Sequence, residues 1–306
     1  MMRVISLLAS GTEIVCGLGA GDSLVGRSHE CDNPAWVLRL PACSSLAFEV
    51  GVSSGQIDSE VRRRLRVGEP LYNLDTGLIR RLKPDLVITQ SHCQVCAVTP
   101  ADVERSDGAV AGQVLALQAG SLNGIYEGIR RVASAMDLEQ NGDALIRRMT
   151  KRIDTVTEAV RGRRPPTVVV LEWTDPIFAA GNWMPQLVEA ANGNLLLAEK
   201  GKYSSAIAWE QVREADPEYL IIAPCGFGLD RAQEELRDLE RLPGWFKLTA
   251  ARQGRVAVAD GNKFFNRSGV TVAETVEIIA EIIHGHKAQL AHHGTAWRMT
   301  AAKSSP

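Results

Sequence analysis

Two short stretches crowd metal-binding and acid–base side chains together. SHECDNP puts His29, Glu30, Cys31 and Asp32 in consecutive positions, and SHCQVC puts His92 beside Cys93 and Cys96 at the C-x-x-C spacing. His29, Cys31, Cys93 and Cys96 are soft ligands of the kind a closed, structural zinc site uses. A redox dithiol at Cys93 and Cys96 is a second reading, weakened because no clear helix N-terminus is there to stabilise a thiolate. Plain loop or cleft lining is a third. A separate loop, TDPIFAAGNWMP, gathers Asp175, Phe178 and Trp183 just after Trp173. Three large rings among hydrogen-bonding groups at a strand end suit a flat ligand with a polar rim, and equally a small hydrophobic cluster under the loop. Tyr203, Phe264 and Phe265 extend that wall, and Arg267 is placed either to meet a carboxylate or phosphate of a ligand or only to pair with a surface acid. Enzyme signatures are absent: there is no G-x-S-x-G elbow and no Walker loop, and the GLGAG run at Gly17 to Gly21 lies at a helix end rather than between strand and helix. Glu30, Asp32 and Asp175 are the acids that would serve a metal-dependent enzyme, the alternative function class.

These groups need elements to position them. Leu145, Met149, Ile153, Val156 and Val160 recur at helical spacing between basic residues, which predicts one long amphipathic helix over 141–164, roughly 30 Å at about 1.5 Å per residue. Asn141 and Gly142 read as a break before it, and Gly162, Pro165 and Pro166 close it. On each side lies a series of strand-then-helix patterns. In the first half, Arg3 to Leu8 reads as a strand, Ser10 to Thr12 as a turn, Glu13 to Leu18 as a helix, and Leu86 to Thr89 as a second buried strand. Asn73 to Leu82 reads as a helix with Asp75 in its first turn, and an Asp-Gly turn is expected at 107–108. In the second half, VVVLEW, Tyr219 to Ile222 and Val256 to Ala259 read as strands, each emptying into a polar loop, with a last helix over 271–283. In open α/β sheets ligands bind at those strand ends. The fold class is therefore α/β: two Rossmann-like lobes bridged by one long helix, with a ligand cleft between them. The lobes are assigned to 1–120 and 165–283, a connecting helical segment to 121–164, and a flexible tail to 284–306.

With 306 residues, 45% hydrophobic, 23% charged and a formal net charge of -2, the chain has enough apolar material for a core in each lobe. No basic run is interleaved with aromatics, which argues against a nucleic-acid partner. No window approaches a membrane span. The apolar opening breaks at Ser10 and Gly11, so it reads as strand and helix rather than an export signal. A cytoplasmic location follows as the expectation, with the six cysteines mostly as thiols.

The combination of RVISLLASGTEIVCGLGAGDSLVGRSHECDNP, LIRRLKPDLVIT, VREADPEYLIIAPCG and NRSGVTVAETVEIIAEIIHG resembles the helical-backbone substrate-binding proteins of iron-chelate and cobalamin import, most closely their vitamin B12-binding branch. The resemblance spans Arg3 to Ile283. It implies a non-catalytic protein that binds cobalamin or a related corrinoid or planar metal chelate between its lobes. The contacts it implies fall on Ser10, Gly11 and Thr12, on the loop after Gln90, on Trp173 and its neighbours, on Cys225, Gly226 and Phe227, and on Phe264 to Arg267, Asn266 included. Glu30 and His92 join that set, His92 as a candidate axial ligand to the chelate's metal, with zinc as a second ion at the cysteines. Docking to an ABC permease is left open, and the chain is read as a monomer.

Overall fold

The structure is a computed structural model, and it describes residues 1–49, 53–93, 95–105, 112–285 and 292–301. The expected Asp-Gly turn at 107–108 lies outside the described residues. In the first lobe the chain runs β1 (Val4–Ser6), α1 (Ala9–Gly17), β2 (Leu24–Arg27), β3 (Ser44–Leu46), α2 (Ser54–Val67), β4 (Tyr72–Leu74), α3 (Thr76–Leu82), β5 (Leu86–Gln90), α4 (Pro100–Glu104) and β6 (Gln113–Leu117). Four of the strands form a parallel sheet in the order β2-β1-β5-β6, and β3 and β4 pair as a separate ribbon. Every residue of β1 and β5 is buried, as a parallel strand covered on both faces requires. Asp75 caps α3 by accepting from the Leu78 amide at 2.8 Å. The helix expected from Asn73 therefore starts later, and residues 72–74 join the ribbon instead.

Two helices lead out of this lobe, α5 (Leu122–Ala135) and α6 (Glu139–Val160). The apolar stripe of α6 is buried throughout its length. Gly142 does not break the helix. A Cβ at that position would lie 2.7 Å from the Cβ of Ala133, so the glycine lets α5 and α6 pack closely. The first half of α6 is tied to the first lobe, with the Asn141 amide donating to the Leu18 carbonyl at 2.7 Å and Arg148 to the Gly17 carbonyl at 3.2 Å. Its second half is tied to the other lobe. There Arg152 forks onto Glu277 at 2.9 and 2.7 Å, and the Thr157 hydroxyl donates to the Ala190 carbonyl at 2.9 Å. One continuous apolar core runs from β1 through α6 into the second lobe, so the bridge is fused to both lobes.

The second lobe continues with β7 (Thr167–Thr174), β8 (Ile177–Ala179), α7 (Met184–Ala190), β9 (Asn194–Leu195), β10 (Ser205–Ala206), α8 (Trp209–Ala215), β11 (Tyr219–Ile222), α9 (Leu229–Leu239), α10 (Thr249–Arg252), β12 (Val256–Ala259), α11 (Val272–His284) and β13 (Trp297–Met299). Its sheet has the order β10-β8-β7-β11-β12-β13, with β9 beside β7. The central strands β7, β11 and β12 are parallel. The end of the chain differs from the frayed tail expected. Residues 297–299 pair antiparallel with β12, and the Trp297 indole donates to the Glu281 carboxylate at 2.7 Å. A lone tryptophan in a polar stretch carries too weak a periodic signal to mark an edge strand.

Candidate functional site

The loops at the carboxyl ends of β1, β2, β5, β7, β11 and β12 meet where the lobes face each other. Ser10, Gly11 and Thr12 do not form the open rim expected of them, because they lie inside the first turns of α1. A Cβ at Gly11 would stand 2.7 Å from Ile88 Cγ2, so small residues here let α1 settle onto β5. Ser10 and Thr12 are buried, with Ser10 Oγ 3.5 Å from Ser268 Oγ of the other lobe and the Thr12 hydroxyl donating to Cys31 Sγ at 3.0 Å.

A charged seam holds the lobes together beside them. Arg267 donates to Glu13 at 2.7 Å and to Asp32 at 2.6 Å, both on the first lobe. Asn262 donates to Asp32 at 2.8 Å, and Asn33 to Glu13 at 2.9 Å. Burial pushes the Glu13 carboxyl up, and the Arg267 guanidinium pulls it back. Of the two readings of Arg267, pairing with acids of the protein is the one the contacts show, although Glu13 is a buried acid rather than a surface one. Asn266 is also structural, donating to the Ala223 and Gly261 carbonyls, each at 2.9 Å. A second seam lies at the start of α2, where Ser54 donates to Glu235 at 2.7 Å and Thr174 meets Ser54 Oγ at 2.9 Å. Asp175 is seated directly on Gly55 of the same helix.

Other polar and aromatic groups lie on the strand-end segments of the two lobes: His29, Glu30, Tyr72 and His92 in the first, and Glu172, Trp173, Trp183, Cys225 and Phe227 in the second, with Tyr72 and Trp183 packed into core clusters. The Trp173 and Phe227 rings lie 5.2 Å apart, with the Arg231 guanidinium 4.8 Å over Phe227. His92 meets Trp183 edge-on across the lobes at 6.2 Å. His29 Nε2, His92 Nδ1, Asn182 Oδ1 and Trp183 Nε1 are buried without a hydrogen-bond partner, which is uncommon for interior polar atoms. Burial lowers the pKa of His92, and burial together with Arg27 lowers that of His29, so both imidazoles are neutral near pH 7. Burial also lifts Glu30 to about 7 against the pull of Arg267, Glu172 to about 7 against a hydrogen bond from Ser204, and Cys225 to about 12. The charges of Glu172 and Glu30 add to the rise at Cys225, after burial.

The other residues expected in that wall have varied surroundings. Phe264 is buried in the shared core, Phe178 sits on β8 opposite Trp173, Gly226 turns the loop at φ 77, and Tyr203 is 61% exposed. The zinc expectation fails. Cys93 and Cys96 form a disulfide rather than free thiols, Cys31 turns inward to Thr12 and the Ser6 carbonyl, and His29 Nδ1 lies 3.0 Å from Ser44 Oγ. Among the described residues no group of three or more His, Cys, Asp or Glu could hold a metal ion. Sequence reasoning missed Glu172 and Tyr72. A glutamate within the apolar run VVVLEW was a usable signal, whereas Tyr72 sits in a segment without periodicity.

The two lifted acids give the fold a pH dependence of definite sign. Glu30 and Glu172 move from 4.5 to about 7, so between those values the folded chain binds more protons than the unfolded one. Their contribution is greatest below pH 4.5 and is lost as pH rises to about 7. Glu13 and Asp260 shift in the same direction, whereas Glu60, held at about 2 by Arg63 and Arg64, titrates below this window. The lowered pKa values of His29 and His92 act in the opposite sense, adding stability as pH rises towards 6.5, so the acid contribution is read by difference: Glu172→Gln is expected to shift the change in melting temperature between pH 5 and 7.5 upwards by several degrees relative to the parent. An unchanged slope in that variant would refute the assignment.

An ABC transporter substrate-binding lipoprotein of Bacillus subtilis (strain 168), itself uncharacterized, is 23% identical over 289 residues, covering 92% of this chain and 80% of the relative. A periplasmic haem-binding protein from Pseudomonas aeruginosa superposes with a TM-score of 0.72 at 17% identity, covering 99% of each chain. The periplasmic vitamin B12-binding protein BtuF of Vibrio cholerae gives a TM-score of 0.65 at 17% identity, covering 92% of this chain and 95% of its own. These comparisons overturn the cytoplasmic expectation, since the relatives are periplasmic proteins or a lipoprotein. The Cys93–Cys96 disulfide agrees with them, because such bonds persist in oxidising compartments. Residues 4–262 match the family described as periplasmic binding protein, and the chain belongs to that family of binding proteins rather than to a class of enzymes.

Proposed function

We propose that this protein binds a planar metal chelate, a corrinoid of the cobalamin or cobinamide type, between its lobes and passes it unchanged to an ABC permease. The observation that carries this reading is the pairing of aromatic faces with buried, unpartnered polar atoms at the lobe interface: Trp173 with Phe227, and His92 with Trp183. Flat rings supply contact area at low entropic cost, and a small number of polar atoms orient the ligand. A neutral, unpartnered imidazole at His92 is also a candidate axial ligand for the chelate's metal. The resemblance to haem- and B12-binding structures supports the same ligand size and shape. Among the described residues no helix is long and apolar enough to cross a membrane.

Titration with cyanocobalamin and dicyanocobinamide, followed by absorption spectroscopy and calorimetry, is expected to show one ligand per chain. The ligand recovered after long incubation should have an unchanged mass. No binding at tens of micromolar would remove the corrinoid assignment. A protein-dependent product that disappears with Glu30→Gln would instead favour an enzyme.

A further inference from the structure

We infer, on the proposed reading that a chelate binds between the lobes, that α2 is a lid over the aromatic side of the cleft, clasped shut by Ser54 and able to open while the Arg267 seam stays closed. α2 is carried by the β3–β4 ribbon, whose strands flank it in the chain. Of its 14 residues only Ser54 is buried. The ion pairs of Arg62 with Asp58 at 2.6 Å and of Arg64 with Glu60 at 2.7 Å run along the helix itself. Val61 packs against the first-lobe core, whereas Leu65 and Val67 are 45% and 59% exposed. A helix that buries so little apolar surface opens at lower cost than the core elements beside it.

The one buried residue of α2 is the one that reaches the other lobe. The Ser54 hydroxyl donates to Glu235 at 2.7 Å and lies 2.9 Å from the Thr174 hydroxyl. The Asp175 carboxylate sits against Gly55, in the first turn, where the positive end of the helix favours it. These contacts set the start of α2 beside the aromatic pair. Thr174 follows Trp173, and the other Glu235 oxygen holds Arg231, whose guanidinium lies 4.8 Å over the Phe227 ring. The two interlobe seams differ in what opening leaves behind. Parting Arg267 from Glu13 leaves a carboxylate that is 2% exposed without its cation. Parting Ser54 from Glu235 leaves that carboxylate with Arg231 at 2.9 Å and with the Thr174 hydroxyl, both of its own lobe, and gives one serine hydroxyl to water. The clasp is therefore the seam that opens.

A reversible lock tests the lid. A Cβ at Gly55 would stand 3.6 Å from the Asp175 Cβ, within the span of a disulfide, so a protein carrying Gly55→Cys and Asp175→Cys can be closed by oxidant and released by reductant. With the bond confirmed by peptide mapping, the oxidised variant is expected to take up dicyanocobinamide at least about tenfold more slowly in stopped-flow absorption, and reduction should restore the parent rate within about threefold. Parent protein given the same reductant controls for the Cys93–Cys96 disulfide. Ser54→Ala leaves the cap at Ser53, which accepts from the Gln56 amide, and should speed amide hydrogen exchange across residues 57–67 at least about fivefold with that of α6 unchanged. An oxidised variant that binds at the parent rate, or a Ser54→Ala variant with parent exchange in α2, would overturn the lid. Failure of the parent and the reduced variant alike to bind dicyanocobinamide would overturn the corrinoid reading instead, and the exchange measurement by itself then decides the lid.

Discussion

Replacing Arg267 with alanine is expected to cost the fold roughly 3–5 kcal/mol, the range for removing one partner of a buried ion pair. The guanidinium is 6% exposed and Glu13 is 2% exposed, so loss of the cation strands a carboxylate where water does not reach. Glu13 would keep the Asn33 amide at 2.9 Å, and Asp32, which is partly exposed, the Asn262 amide at 2.8 Å. Burial already lifts the Glu13 pKa, so the carboxyl would take up a proton in the variant and the loss would be smallest in acid. Urea unfolding at pH 7 and at pH 5 measures both effects. Adding Glu13→Gln to the Arg267→Ala variant should recover much of the stability, since it removes the stranded charge. A single-variant loss below about 1 kcal/mol would show that the seam contributes little.

Truncating both rings of the aromatic pair, Trp173→Ala with Phe227→Ala, is expected to weaken chelate binding by two to three orders of magnitude. A buried aromatic contact at a binding surface is commonly worth about 2 kcal/mol, roughly thirtyfold per ring. The two rings lie 5.2 Å apart, close enough for their losses to couple, so both single variants and the double variant are needed. Neither side chain belongs to the buried core, and the melting temperature should change little. That separates a lost ligand contact from a lost fold. A double variant within tenfold of the parent affinity would exclude this wall as the binding surface and move attention to His92 and Trp183.

Much of the architecture was legible because its causes are local. The stripe of α6, the buried run at β5, and the Asp75 cap each depend on a window of a few residues. The candidate site was legible only as a set of loops. The assignment of strand-end loops to the lobe interface came from the α/β pattern, which places them on one side of each sheet. Which side chains in those loops face a ligand did not follow. Arg267 and Cys31 have the same local appearance whether they point into the cleft or away from it.

What the sequence by itself determined is the alternation of strand and helix, the long central helix, and the motif set resembling helical-backbone binding proteins. Periodicity, caps and turn residues act through neighbours along the chain. Tertiary structure alone decided the pairing of Arg267 with Glu13, 254 positions apart, the inward turn of Cys31, and the disulfide that removes Cys93 and Cys96 as metal ligands. It also decided that residues 297–299 close an edge of the second sheet. The physical reason is that burial and electrostatic pairing are set by which surfaces the packed elements bring together, and charges far apart along the chain carry no local mark of their partners.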